Sequence, residues 1–171
     1  MSKIIAIDGP SGAGKSSVSR LVGRRLGFLH VDSGALYRIM TWQALARGVD
    51  TSDPEAVAAF APTVEVECRP VDGKVAYFVG GEEPGDRIRT LEINAHASEV
   101  ATVKAVRDRI TATLRGMAAL GDLVVEGRDI TTAVFPTRRL GSTSPHRPRR
   151  GRAAGGRRRW RRGSRPRARR R

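Results

Sequence analysis

The chain has 171 residues, with 32 Lys and Arg against 17 Asp and Glu, enough for one domain with its own core. The net charge of +15 suggests a nucleic-acid binder until it is located: residues 1–136 carry 16 basic and 17 acidic side chains, and residues 137–171 carry 16 arginines and no acid. Cys68 is the only cysteine, which excludes an internal disulfide, and neither a leader pattern nor an apolar run of roughly 18 residues is present, so a cytoplasmic chain without a membrane partner is expected.

In chain order, Ile4-Ile5-Ala6-Ile7 reads as a short buried strand. It runs into Gly9-Pro10-Ser11-Gly12-Ala13-Gly14-Lys15-Ser16, a complete Gly-x-x-x-x-Gly-Lys-Ser phosphate loop followed by Ser17. Val18, Leu21, Val22 and Leu26 then recur at helical spacing. A loop between a strand and a helix N-terminus presents backbone N–H groups and the positive end of the helix dipole to a polyphosphate. Gly9 to Ser17 are therefore the candidate ATP-binding residues. Lys15 would neutralise the β- and γ-phosphates, and the Ser16 hydroxyl would ligate Mg²⁺.

His30-Val31 continues a second strand that ends at Asp32-Ser33-Gly34. Leu36, Ile39, Met40 and Leu45 mark a helix from Ala35 to Gly48, which Asp32-Ser33 could cap. Ser52-Asp53-Pro54-Glu55 has the form of a capping box from Ser52 to Glu55 opening another helix. Val64–Cys68 and Val75–Val79 alternate with period two, and Asp72-Gly73 between them predicts a hairpin, which makes residues 63–90 a small β-rich insertion. Glu92 to Gly121 is mostly helical. Leu123-Val124-Val125 is a third buried strand, delivering Glu126-Gly127-Arg128-Asp129 at its end. Strands and helices in alternation predict an α/β fold with a parallel sheet.

Four segments jointly resemble the bacterial cytidylate kinases. They are Ile7 to Lys15; Asp32-Ser33-Gly34-Ala35-Leu36-Tyr37-Arg38; Asn94-Ala95-His96-Ala97-Ser98 with Val106-Arg107-Asp108; and Glu126-Gly127-Arg128-Asp129-Ile130 with Val134-Phe135-Pro136. The resemblance covers residues 3–136. It implies a P-loop nucleoside-monophosphate kinase fold and transfer of the ATP γ-phosphoryl group to CMP or dCMP, with Mg²⁺ accompanying ATP, in a monomer. It makes Lys15 and Arg128 catalytic, and gives the acceptor phosphate to Arg38 and Arg128. Ser98, Arg107 and Asp129 would read the cytosine edge, Ser33 would support the sugar-phosphate, and Tyr37 would pack beside the nucleotide.

Each residue also has a plainer reading. Arg107 could be a solvated surface charge, Arg128-Asp129 a surface ion pair and Tyr37 a packing residue. His30 and His96 have no ligand spacing, and Cys68 reads as a small buried hydrophobe. One departure from the family pattern is Thr131, where glycine is usual; if the position needs positive φ, Thr131 should carry a modest penalty.

The tail from Thr137 to Arg171 matches nothing in that family as written. Read one nucleotide out of register, its codons permit D-A-E-A-R-V-Y-L-T-A-S-P-E-E-R-A-R-R-R, which is the family continuation. The expectation is therefore a frameshift near codon 136, with residues 1–136 an incomplete kinase core and 137–171 a disordered arginine-rich segment. Such a chain would lack the last core strand and lid, expose apolar surface and an open sheet edge, and be inactive or impaired. Two alternatives remain. One is a nucleic-acid-binding protein using the arginine tail, although such a tail would bind polyanions without specificity; the other is a P-loop kinase of another small acceptor.

Overall fold

The computed structural model describes residues 2–136 and 142–143. Strand β1 (Ile4–Asp8) leads through the glycine-rich loop into helix α1 (Lys15–Leu26), then β2 (Leu29–Asp32) and α2 (Ser33–Ala46). Helix α3 (Pro54–Phe60) precedes the hairpin β3 (Glu67–Val71) and β4 (Lys74–Phe78). Helices α4 (Leu91–Val100) and α5 (Lys104–Gly116) follow, then β5 (Leu123–Gly127), a single wide turn of π type at Ile130–Val134, and β6 (Ser142–Thr143).

The six strands form one sheet in the order β3-β4-β2-β5-β1-β6, parallel except for the β3–β4 pair. Alternation along the strands decides what each face carries. Ala6, Val31, Leu123 and Val125 point into the main core with Leu36, Ile39 and Met40 of α2 and Val106, Ile110 and Leu114 of α5. The opposite face receives α1, which buries only Ser19 and Gly23. A Cβ on Gly23 would lie 3.0 Å from the Phe28 carbonyl oxygen, so the absent side chain is what lets α1 lie this close to β2. Consequently Val18, Leu21 and Leu26 of α1 are exposed.

Several sequence expectations shift in detail. The β-rich segment does not stand apart: β4 pairs with β2 through His30 and Lys74 and widens the main sheet. Its first strand begins at Glu67 instead of Val64, whereas the predicted hairpin turn is present, with positive φ at Asp72 and Gly73. The capping box is replaced by Asp53, whose carboxylate accepts from Glu55 and Ala56 N–H, while Ser52 bonds to Asp50. The long helical stretch breaks after Val100, so α5 starts afresh at Lys104 and ends in a 3₁₀ turn, Met117–Leu120. Asp32 caps α2 as anticipated, accepting from Ala35 N–H at 3.1 Å.

Of the tail, Ser142–Thr143 pairs with Ile7 and Asp8 on the outer side of β1. These two residues are therefore strand where disorder was expected, and they cover the end of the β1 edge that was expected to be open; the rest of the arginine-rich segment lies outside the described residues. Among the described residues no helix is long and apolar enough to cross a membrane.

Candidate functional site

The C-terminal ends of β1, β2 and β5 lie side by side, and each delivers polar residues there. After β1 the chain turns through Gly12 and Gly14, both left-handed with φ of 78° and 79°, a conformation that favours glycine. Gly14 begins α1 with no side-chain cap, the arrangement of a helix N-terminus that receives an anion. Lys15 Nζ donates to the Pro10 carbonyl at 2.8 Å and so folds back over its own loop. Ser16 Oγ donates to Glu126 Oε2 at 2.8 Å.

Glu126, the penultimate residue of β5, is only 3% exposed and holds His30 with its other oxygen, Oε1 to Nε2 at 2.9 Å. Burial acts to raise the Glu126 carboxyl. The hydrogen bonds with His30 and Ser16, with the charge of Lys15 behind them, more than offset it and leave the pKa below the ordinary glutamate value.

The other side of the site is built from α2, α5 and the loop after β5. Arg38 Nη2 donates to Asp32 Oδ2 at 2.9 Å, and Arg89 approaches the same oxygen at 3.7 Å. Gly34 leaves room for this pair, since a Cβ there would stand 3.1 Å from Asp32 Oδ1 and 3.3 Å from Arg38 Nη1. Arg38 Nε is buried with no hydrogen-bond partner. An orphaned guanidinium donor beside a strand end is chemically suited to an anionic ligand.

Arg107 Nη2 reaches Asp129 Oδ2 at 3.1 Å. Tyr37 sits close enough to feel both charges: burial raises its phenol, with Arg107 acting against that and Asp129 with it. Arg128 turns the other way, its Nη2 donating to Ser11 Oγ of the phosphate loop at 3.4 Å. Ser33 is buried under Gly127, where any Cβ would overlap its Oγ.

These contacts join most of the residues expected from the sequence. Gly9, Pro10, Ser11, Gly12, Ala13 and Gly14 form the loop, and Lys15, Ser16 and Ser17 make the first turn of α1. Ser33, Tyr37, Arg38, Arg107, Arg128 and Asp129 surround the ends of β2 and β5. Ser98 is the exception: it is exposed on α4, and its hydroxyl makes no hydrogen bond with the described residues. Arg128 and Asp129 are not a pair with each other, because their side chains take different partners. Cys68 is half-buried on β3, and its thiol is pushed up to about 11 by burial and then by Glu67.

Thr131 departs from its expectation. Asp72 and Asp129 are the non-glycine residues with positive φ among those described, so Thr131 itself carries no left-handed strain. Its N–H and hydroxyl both bond to Asp8 instead.

Sequence reasoning did not single out Asp8, Arg89 or a role for Glu126. Glu126 had a usable signal, an acid at the end of a buried strand in a phosphate-loop protein. Arg89 had none, since it lies in a 3₁₀ turn outside every motif segment.

The sequence profile of the family described as "Cytidylate kinase" matches residues 5–141. The chain is 43% identical over 133 residues to the cytidylate kinase of Pelotomaculum thermopropionicum, covering 77% of this chain and 59% of that protein. It is 42% identical over 132 residues to the cytidylate kinase of Limosilactobacillus fermentum, covering 77% and 58%. It is also 43% identical over 134 residues to a bifunctional pantoate ligase/cytidylate kinase of Synechococcus sp. (strain CC9902), covering 78% of this chain and 28% of that one. The chain thus spans under two thirds of the length of these relatives. With its phosphate loop and mostly parallel α/β sheet, it belongs to the cytidylate kinase family and has the P-loop nucleoside-monophosphate kinase fold.

Proposed function

We propose that this chain binds ATP on the loop Gly9–Ser17 and CMP or dCMP between α2, α5 and the loop after β5, the arrangement for transfer of the γ-phosphoryl group to the acceptor phosphate, and that the transfer itself is impaired or lost because residues 137–171 do not carry the family's continuation and lid. The reading rests above all on the divergence of two consecutive side chains. Arg128 reaches the phosphate loop at Ser11 while Asp129 reaches Arg107, so one short loop touches both halves of the site.

In this reading Lys15 leaves the Pro10 carbonyl to meet the β- and γ-phosphates, whose other oxygens receive backbone N–H groups of the α1 N-terminus. Arg38 and Arg128 hold the acceptor phosphate, and the orphaned Nε of Arg38 gains a partner. With both phosphates held, an acceptor oxygen attacks the γ-phosphorus as its bond to the β,γ-bridging oxygen breaks, giving CDP and ADP. Arg107 and Asp129 exchange their mutual ion pair for the cytosine edge, Arg107 donating to ring acceptors and Asp129 accepting from the exocyclic amine. Ser33 and Tyr37 line the sugar side, and Ser98 would join the base contacts as α4 adjusts.

The hydroxyl of Ser16 and the carboxylate of Glu126 are hard oxygen donors already in contact, a set that fits Mg²⁺. The ion would supply charge neutralisation between the β- and γ-phosphates. ATP and CMP or dCMP are then the partners, in the cytoplasm, without a nucleic acid or a membrane.

The test is calorimetric titration of the full chain with CMP, dCMP, UMP and AMP, followed by assay of ADP formation from ATP with each acceptor. CMP and dCMP are expected to bind at least about tenfold more tightly than UMP, because an acceptor carboxylate left facing the uracil carbonyl is unpaired. Equal affinity for all four would sink the assignment of Asp129 and Arg107.

A further inference from the structure

Asp8 is the last residue of β1 and is 8% exposed. Its carboxylate receives three hydrogen bonds from two consecutive residues across the sheet. Ile130 N–H donates to Oδ1 at 2.8 Å, Thr131 N–H to Oδ2 at 2.9 Å and Thr131 Oγ1 to Oδ2 at 2.5 Å. The chain between these anchors and the sheet is very short. Gly127 is held in register opposite Asp8, and the Gly9 N–H bonds to its carbonyl at 3.3 Å. Only Arg128 and Asp129 lie between Gly127 and the clasped Ile130.

Asp129 takes φ of 57°, a left-handed value that turns the chain back so that the next two amides face Asp8. Ile130, 1% exposed, fills the core below. On the far side Arg115 closes the wide turn, donating to the carbonyls of Val134 at 2.8 Å and Ala133 at 3.0 Å.

We propose that Asp8 and Thr131 are positioning residues: their clasp sets Arg128 and Asp129 relative to the phosphate loop that begins at Gly9. The inference rests on the reading of Arg128 and Asp129 as acceptor-binding groups. The physical ground is that a two-residue segment bracketed by a sheet register and a buried, charge-assisted hydrogen-bond cluster has little conformational freedom. Thr131 contributes what a residue without a hydroxyl cannot, the third bond to the carboxylate. Asp8 thereby speaks to both nucleotides, since its backbone starts the ATP loop and its side chain holds the acceptor loop.

Thr131→Val in the full chain removes the hydroxyl and keeps the β-branched shape and backbone N–H, and Thr131→Ser restores the hydroxyl. Asp8→Asn, which keeps one acceptor oxygen, is the second variant. Two readouts are needed, amide hydrogen exchange across residues 127–132 and the separate affinities for CMP and MgATP, with thermal midpoints as a check on folding.

The clasp predicts faster exchange at Ile130 and Thr131 in Thr131→Val. It predicts CMP affinity about tenfold weaker, ATP affinity within about twofold, and recovery of both readouts in Thr131→Ser. Equal losses of CMP and ATP affinity, or a lowered midpoint with CMP affinity unchanged, would overturn it and leave Thr131 a structural residue. If the parent chain binds no CMP, the acceptor reading is what fails. The clasp then stands or falls on exchange alone: faster exchange in the valine variant at an unchanged midpoint upholds it, and unchanged exchange overturns it.

Discussion

Ser16 and Glu126, 110 residues apart in sequence, are joined by a 2.8 Å hydrogen bond that ties the first turn of α1 to the end of β5. The hydroxyl that a phosphate-loop protein offers to a metal thus already rests on a carboxylate, and that carboxylate is steadied from behind by His30. Glu126→Ala should therefore weaken MgATP binding by about a hundredfold at saturating free Mg²⁺ and less for ATP in EDTA. Calorimetric titration with and without the metal measures the difference, and an equal loss in both conditions would assign Glu126 a structural role only.

The same carboxylate makes stability depend on acid. Its folded pKa lies below the ordinary value of 4.5, so its contribution is fully present above about pH 4.5 and is lost as pH falls through the folded value. The parent should be more stable than Glu126→Gln at pH 7, and the gap should shrink as pH falls below the ordinary glutamate value. Thermal midpoints recorded from pH 3 to pH 7 decide this; a constant gap across that range would contradict it.

Lys15 spends its charge on a carbonyl of its own loop, so its loss should hardly touch the fold. Lys15→Met is expected to leave the thermal midpoint within about 2 °C, which corresponds to no more than about 1 kcal/mol. It should cost roughly a hundredfold in ATP affinity, because one of the main positive charges on the triphosphate is removed. Fluorescence titration with a labelled ATP analogue reads the second effect directly.

Arg107 and Asp129 are both about half exposed, and a surface ion pair contributes little to stability. Asp129→Ala should change the midpoint by no more than a degree or two, yet reduce CMP affinity by about ten to a hundredfold. A matching loss of UMP affinity would show that the carboxylate acts on something other than the exocyclic amine.

Gly127 gives a stability prediction of the opposite kind. A methyl group there would overlap Ser33 Oγ and stand 2.8 Å from Ile130 Cδ1, where both neighbours are buried. Gly127→Ala should destabilise the chain by about 1–3 kcal/mol, as measured by urea denaturation, and should loosen the turn that carries Arg128.

The sequence displayed its local features well and its long-range ones poorly. The β1–loop–α1 unit was legible because strand, glycine turn and helix are contiguous and each has its own periodicity. The α2 cap at Asp32 was legible for the same reason. The joining of β4 to β2 was not, since the pairing of His30 with Lys74 depends on a distant register that alternation alone does not specify. The break after Val100 was masked because α4 and α5 both have helical periodicity. Asp8 lay just past the strand read from the sequence and drew no role of its own, and only the fold brings Thr131 to it. The residues taken from the family resemblance came together around β2 and β5, but Ser98 remains apart, because a serine on an exposed helix has no local signal to fix its direction.

Gly23 has a mechanical consequence for chemistry that it never touches. It lies seven residues from Ser16 on the same helix, a separation of about 10 Å at 1.5 Å per residue. Because α1 meets the sheet through a hydrogen side chain at Gly23 and the small Ser19, the helix works as a stiff lever with its bearing along that face and the Ser16 hydroxyl at its tip. Thickening the bearing by a single methyl against the Phe28 carbonyl would lift the tip away from Glu126. The tolerance of the candidate site is therefore set partly by a residue with no polar side chain, two turns away on the side of the helix that faces the sheet.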